Sequence, residues 1–353
     1  MDYALRLQRL RALLEPIPCD ALFIDHPAHL FYLTGLELSV GKLLVTQREA
    51  CLIVDGRYAE RSTQQTLYPV QILKESLLEE LIPVFEIHQL GFDRDTAAYR
   101  DFELLTRLTE TLKRQTYSLE ITPLASPVQQ LRMIKDPEEI DCLREAARLG
   151  YQGYEFLVSL LEEGVTETAL AFELECFWKK KGASRFAFDP IIAFGANSSM
   201  PHYRAGQTQL RLHSPVLIDI GVVLKHYHSD MTRVIFFGSS PRLMQEIYAI
   251  VEEAKARAIA LCRPGILIGE LDRVAREWIT LKGYGDHFMH SLGHGIGLET
   301  HEPPTIRHVG IHSMMPLQAG MTLTIEPGIY LPGVGGVRLE DTVLITENGC
   351  ENL

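Results

Sequence analysis

The chain has 353 residues, enough for two domains and a sizeable core, and its 46% apolar and 23% charged content is that of an ordinary globular protein. A formal net charge of −12 argues against nucleic acid or an anionic membrane surface as the main partner. No stretch approaches the roughly 18 uninterrupted apolar residues of a membrane span, and six cysteines without a CxxC pair point to reduced thiols in a cytoplasmic protein.

In chain order, the opening segment MDYALRLQRLRALLE is predicted to form a charged amphipathic helix, a pattern unlike a signal peptide. Short apolar runs follow at 21–25, 42–46 and 50–55, separated by less regular or helix-like segments. This alternation predicts an α/β domain built around a small sheet, over residues 1–124. No chemical motif stands out in it.

The second domain is expected over 125–353. A helix start is legible near its beginning: Asp136 as N-cap, Pro137 as first helical residue and Glu139 as the reciprocal capping residue, with Ile140, Leu143 and Ala147 on one face. Further helices are predicted over 167–181, 242–262 and 267–281. Strand patterns then carry the polar residues of interest: PVLIDIGVVL, DMTRVIFFG, MTLTIEPGIY and GVRLEDTVLIT. The expected class is α+β.

Asp219, Asp230, His294, Glu326 and Glu340 read together as a dinuclear metal site. Four carboxylates and one imidazole suit hard-to-borderline divalent cations such as Mn²⁺, Co²⁺ or Zn²⁺. Acids inside apolar strand runs are costly unless a counter-charge offsets them. One buried Asp in a strand is more often hydrogen-bonded to a turn than metal-bound, but five such anomalies in one region are harder to assign to separate accidents. Asp219 and Asp230 fall on a predicted hairpin turning at 225–228, and Glu326 and Glu340 on a second one turning through PGIYLPGVGG. Both hairpins would curve around a common cavity, with His294 closing the ligand set. Arg338 stands two residues before Glu340, so a continuous strand would point both side chains to one face.

These segments resemble the metallopeptidase family with the pita-bread fold, which includes methionine aminopeptidase, aminopeptidase P and prolidase. The resemblance is carried by FDPIIAFGANSSMPHY (188–203), LIDIG (217–221), YHSDMTR (227–233), HSLGHGIGLETHEPP (290–304), TIEPGIY (324–330) and GVRLEDTV (336–343). LRMIKDPEEI (131–140) and DALFIDHPAHLFYLTG (20–35) resemble the Xaa-Pro-cleaving branch, the latter its creatinase-like N-terminal domain. The resemblance implies that Asp219 chelates one metal, that His294 and Glu326 bind the other, and that Asp230 and Glu340 bridge the two. It places His202 and His301 on the substrate side, with His290 and Arg338 lining the site. A homodimer and a peptide substrate with proline at the second position are also implied.

The expected chemistry is hydrolysis by a hydroxide shared between two metals. Glu326 would carry the proton to the leaving nitrogen, and His202 and His301 would hydrogen-bond the tetrahedral intermediate. Ten of the thirteen histidines fall between 202 and 312. His213, His226, His228, His287, His308 and His312 receive no catalytic role, and His228 is the best candidate among them to brace a ligand. Two substrate ranges compete: an aminopeptidase P-like enzyme, and a prolidase restricted to dipeptides. A strict dipeptidase needs a cation near the proline carboxylate. In some prolidases an arginine lies shortly after the HExP-like segment. Here that stretch reads HEPPTIRHV, with Thr305 four residues after His301, which leans towards the aminopeptidase, and Arg307 two further on, which keeps the prolidase in play. A non-enzymatic binding protein and a metal-free hydrolase of the same fold would both be expected to lose ligands.

Overall fold

The computed structural model describes the whole chain, Met1–Leu353. It divides into two compact units, Met1–Arg132 and Met133–Leu353. The division falls after Arg132 rather than after Leu124, because the segment beyond Leu124 is tied back into the first unit. Ser126 donates its hydroxyl to Asp93 and its backbone N–H to Asp95.

The first unit runs α1 (Tyr3–Leu14), β1 (Ala21–Ile24), α2 (Pro27–Thr34), β2 (Gly41–Thr46), β3 (Ala50–Val54), α3 (Ala59–Gln65), β4 (Val70–Ile72), α4 (Leu77–Val84), β5 (Gln89–Asp93), α5 (Tyr99–Arg114), β6 (Glu120–Leu124) and α6 (Pro127–Met133). Its six strands form one mixed sheet in the order β4-β3-β2-β1-β5-β6. The helix α5 shows why the unit packs as it does. Leu105, Leu108 and Leu112 repeat at helical spacing and are buried against Phe23, Leu90 and Phe92 of the sheet.

The second unit begins with α7 (Pro137–Ser159) and α8 (Glu167–Lys180), then β7 (Arg185–Phe186), β8 (Ile191–Phe194), β9 (Ser214–Ile220), β10 (Val222–Leu224), β11 (Tyr227–His228) and β12 (Met231–Phe237). It continues with α9 (Arg242–Leu261), α10 (Ile268–Leu281), β13 (Gly293–Gly295), β14 (Glu302–Ile306), β15 (Thr322–Ile325), β16 (Gly328–Leu331), β17 (Gly335–Arg338), β18 (Asp341–Ile345) and β19 (Cys350–Asn352). The capping box at α7 forms as expected, with Asp136 accepting from the Glu139 N–H and Glu139 from the Asp136 N–H. Its buried stripe is rotated from the expected one and runs through Glu139, Leu143, Ala146 and Leu149. The buried Glu139 accepts a hydrogen bond from the Tyr227 hydroxyl at 3.0 Å.

The order helix, helix, strand and broken hairpin occurs twice, first around β8, β9 and β12 and then around β13, β15 and β18. Leu149, Leu157, Leu170, Leu174 and Trp178 of α7 and α8 pack on Val216, Ile218 and Ile220 of β9, while α9 and α10 pack on the face that holds Leu217. The strand period of two therefore sets Asp219 on the face of Leu217.

Neither hairpin is the continuous ribbon that the sequence pattern predicts. The pairing of β9 with β12 ends at Ile220↔Met231, and the tip resumes in another sheet as β10 with β11. The second hairpin breaks in the same way: β15 pairs with β18 up to Ile325↔Asp341, and β16 with β17 from Gly328↔Arg338. Asp230, Glu326 and Glu340 sit in these breaks, while Asp219 is still within β9, paired with Ile191 and Thr232. Arg338 and Glu340 are thus not on one strand: Arg338 ends β17 and Glu340 immediately precedes β18.

At the first break Gly221 lets the returning chain approach closely, since a Cβ there would lie 2.3 Å from the Ser229 carbonyl oxygen. Gly221→Ala is expected to cost about 1–3 kcal/mol, as overpacking does, and to lower the urea midpoint. A midpoint equal to that of the parent would show that the break does not depend on this contact.

Candidate metal centre and active site

One cavity of about 600 Å³ in the second unit is lined by His202, Asp219, Asp230, His290, His294 and His301, together with Glu326, Arg338 and Glu340. All nine residues singled out from the sequence meet there. Its size is that of a small-molecule or peptide site.

The two hairpins are stitched where they break. Thr232 donates its hydroxyl to Glu340 Oε2 at 2.7 Å, and its carbonyl accepts the Glu340 N–H at 3.1 Å. Thr342 reciprocates, its hydroxyl donating to the Asp230 carbonyl at 3.0 Å. Each threonine stands two residues after a carboxylate. These cross-links hold Asp230 and Glu340 face to face despite their charge.

His294 comes from β13, where Gly293 allows the neighbouring strand to close in: a Cβ there would sit 2.0 Å from the Thr324 carbonyl oxygen. His294 Nδ1 donates to the Gly295 carbonyl at 3.0 Å. That leaves the Nε2 lone pair facing Glu326 Oε1 at 3.4 Å and Asp230 Oδ2 at 3.7 Å. Fixing a ligating histidine through its second nitrogen is common in metal sites.

Burial, and then Glu340, push the Asp230 carboxyl well above its ordinary range. The same two causes raise Glu326. Glu340 rises to about 8, by burial and then by Asp219. His294 and His290 are each lowered to about 4, burial being the largest cause in both. Partial desolvation and His202 also lower His301, whose ring lies 4.3 Å from that of His294.

Arg338 answers part of this negative charge. Burial opposes its charge, yet Tyr330 and Asp219 hold the guanidinium firmly protonated. It donates to Asp219 Oδ2, to the Tyr330 hydroxyl at 2.7 Å and to Thr232 Oγ1 at 3.2 Å. Because the Tyr330 hydroxyl accepts from Arg338, its own proton is directed to His290 Nε2, 2.9 Å away. His290 then carries its proton on Nδ1, which donates to the Ser291 carbonyl at 2.8 Å.

Do these residues fit divalent cations? Asp219 Oδ1 and Glu340 Oε1 are buried and have no hydrogen-bond partner. Ligand atoms of Asp230, His294 and Glu340 lie within 4.8 Å of one another. Buried acceptors without donors, beside an imidazole lone pair, are satisfied by a cation or, in its absence, by taking up a proton. The donor set fits.

Residues that the sequence reading passed over hold this arrangement in place. Glu167 is fully buried and takes four donors: the Phe194 N–H at 2.8 Å, Asn197 Nδ2 at 2.9 Å, the Tyr203 hydroxyl at 2.8 Å and the Gly206 N–H at 2.9 Å. It thereby anchors both sides of the loop that carries His202. Arg276 of α10, paired with the fully buried Asp272, donates to the carbonyls of Phe288 at 2.8 Å and His290 at 2.7 Å. Lys135 lies 3.4 Å from Glu302, beside His301. No local motif marks Glu167, Asp272 or Arg276, whereas Tyr330 and Thr232 lie inside segments already conspicuous in the sequence. His228 is buried, with its N–H donating to the Gly297 carbonyl at 2.8 Å, and does not line the cavity. Neither do His213, His226, His287, His308 and His312.

Comparison with known proteins defines the class. The model of metallopeptidase family M24 matches residues 141–347, and that of the creatinase/prolidase N-terminal domain matches 6–134. The chain belongs to metallopeptidase family M24, with its pita-bread catalytic domain and creatinase-like N-terminal domain, and is an enzyme that uses divalent metal ions. It is 37% identical over 350 residues to an Xaa-Pro dipeptidase of Pyrococcus furiosus, covering 99% of this chain and 97% of that one. An Xaa-Pro dipeptidase structure from Bacillus anthracis superposes with a TM-score of 0.92 at 34% identity, over 99% and 97% of the two chains. An X-Pro aminopeptidase structure from Thermotoga maritima does so with a TM-score of 0.87 at 32% identity, over 98% and 96%.

Removing the Glu167 carboxylate by Glu167→Ala would leave buried donors unmet, at a cost on the order of 3 kcal/mol. Denaturant unfolding should show it, and amide exchange should quicken over 200–206. Unchanged exchange at Gly206 would show that the loop is anchored by other means.

The carboxylate cluster sets a pH dependence in metal-free protein. Glu340 keeps its proton to about pH 8 when folded, against 4.5 for its ordinary value. Between these values the folded state binds more protons, so stability contributed by this group falls as pH rises. Glu340→Gln should flatten that slope in unfolding experiments after exhaustive chelation. An unchanged slope would place the repulsion elsewhere.

Proposed function

We propose that this metallopeptidase is an Xaa-Pro dipeptidase, hydrolysing the bond between an N-terminal residue and a C-terminal proline. The observation that carries the reading is the cavity that gathers Asp219, Asp230, His294, Glu326 and Glu340 with His202, His290, His301 and Arg338. Full-length likeness to proteins named Xaa-Pro dipeptidase supports the substrate class. Those names favour the dipeptidase alternative over the aminopeptidase reading to which Thr305 leaned.

In this reading the five ligands would hold two divalent ions, manganese being our assignment. Such ions supply Lewis-acid activation of water and of the scissile carbonyl. Asp230 and Glu340, locked together by Thr232 and Thr342, would be shared between the ions. Arg338 holds Asp219 in place by donating to its Oδ2. Glu326, whose carboxyl is raised by burial and by Glu340, is suited to hold a proton at Oε1 and release it to the leaving nitrogen. His202 and His301 stand on the cavity wall as donors to the oxygen that gains charge during attack. A tertiary amide at proline has no N–H, so the site must grip the substrate through other groups.

The Thermotoga maritima neighbour, named an X-Pro aminopeptidase, and Thr305 on the cavity wall favour a second reading in which longer peptides are cut. Ala-Pro and Ala-Pro-Ala, each supplied with Mn²⁺, separate the two. Hydrolysis of Ala-Pro at least about tenfold faster in kcat/KM is expected. Preferential cleavage of Ala-Pro-Ala would overturn the dipeptidase reading, and failure to cut either would overturn both.

A further inference from the structure

A dipeptide differs from every longer peptide in one respect at this site: its proline ends in a carboxylate. The cavity that must receive this anion has acids as most of its charged lining: Asp189, Asp219, Asp230, Glu302, Glu326 and Glu340. Only two permanent cations line it, Arg204 and Arg338. Arg338 is buried, and each of its three guanidinium nitrogens already donates, to Thr232, Tyr330 and Asp219. Arg204 is exposed, and no hydrogen bond or ion pair within the chain occupies its guanidinium. Arg307, the cation that the sequence offered for this role, does not line the cavity, and Thr305, which does, is uncharged.

Arg204 is also placed with some rigidity. It lies two residues after His202, and Glu167 clamps the loop on both sides of it by accepting from the Tyr203 hydroxyl and the Gly206 N–H. The Tyr203 N–H closes a turn onto the Met200 carbonyl at 3.1 Å. The backbone is therefore held while the long side chain keeps its reach. A guanidinium offers paired N–H donors that match a carboxylate, and such charge-assisted bonds are about twice as strong as neutral ones.

We infer that Arg204 is a specificity-determining residue that receives the free carboxylate of the substrate's C-terminal proline. The inference rests on the dipeptidase reading above. Arg204 takes the place of a cation after the His301 segment, from the loop that carries His202.

The test compares Ala-Pro with Ala-Pro-amide, which lacks the charged terminus, in the Mn²⁺-supplied full-length enzyme. The parent should prefer Ala-Pro in kcat/KM by about tenfold or more. In Arg204→Gln that preference should collapse towards unity, chiefly through a higher KM for Ala-Pro, and Arg204→Lys should recover part of it. A parent-like preference in Arg204→Gln, with Ala-Pro still cleaved, would overturn the inference alone. An equal loss on both substrates would overturn it as well, because the residue would then be supporting the site rather than reading the carboxylate. A parent enzyme that does not cleave Ala-Pro would overturn the dipeptidase reading, and this inference with it.

Discussion

Carboxylates crowded into one buried cavity are the constraint on which the rest of the catalytic unit depends. Asp219, Asp230, Glu326 and Glu340 repel one another in surroundings that penalise charge, and three of them are displaced upward in pKa as a result. A fold tolerates this only with compensation. Part comes from Arg338, bound to Asp219, and part from the hydroxyl of Thr232 on Glu340. Asp219 Oδ1 and Glu340 Oε1 are left without protein donors, as atoms open to a divalent cation would be. The energetic defect of the metal-free site and its affinity for metal are thus the same feature.

The architecture answers the need for rigidity under repulsion. Each hairpin leaves one sheet for another close to its carboxylates. Asp230, Glu326 and Glu340 stand in the breaks, free of the regular alternation of a strand, while that alternation itself sets Asp219 near the end of β9. Reciprocal threonine bonds then tie the two breaks together. Behind them, two helix pairs cover opposite faces of the strands, so the breaks cannot relax by moving apart.

A second tier of buried charges governs the substrate side. Glu167 holds the His202 loop, Asp272 and Arg276 hold the carbonyls on either side of Met289, and Lys135 pairs with Glu302 beside His301. Glu167, Asp272, Arg276 and Glu302 each bond to backbone groups, and of these only Glu302 stands on the cavity wall. Together they let short loops present histidines with the precision of secondary structure. Fixing the tautomer of His290 through Tyr330 and Arg338 belongs to the same strategy.

Much of this was legible in the chain itself. Apolar strands interrupted by acids, GHG, and the capping residues Asp136 and Glu139 are local signals, and they located the ligand candidates and the start of the catalytic unit's first helix. What local pattern does not carry is partnership across the chain. The first hairpin reads as continuous because Gly221 interrupts it only in three dimensions, through its close approach to Ser229. In the second, the segment PGIYLPGVGG reads as a turn although most of it pairs as β16 with β17. Glu167 reads as an ordinary helix N-terminal acid, and only its four distant donors reveal its task. Arg307 seemed the available cation by position, whereas the fold turns it away and brings Arg204 to the cavity instead. The sequence alone determined which chemistry the chain is equipped for, because ligand type and spacing are written in the residues. The tertiary structure decided which charges meet, since burial and the distance between groups remote in the chain exist only once it has folded.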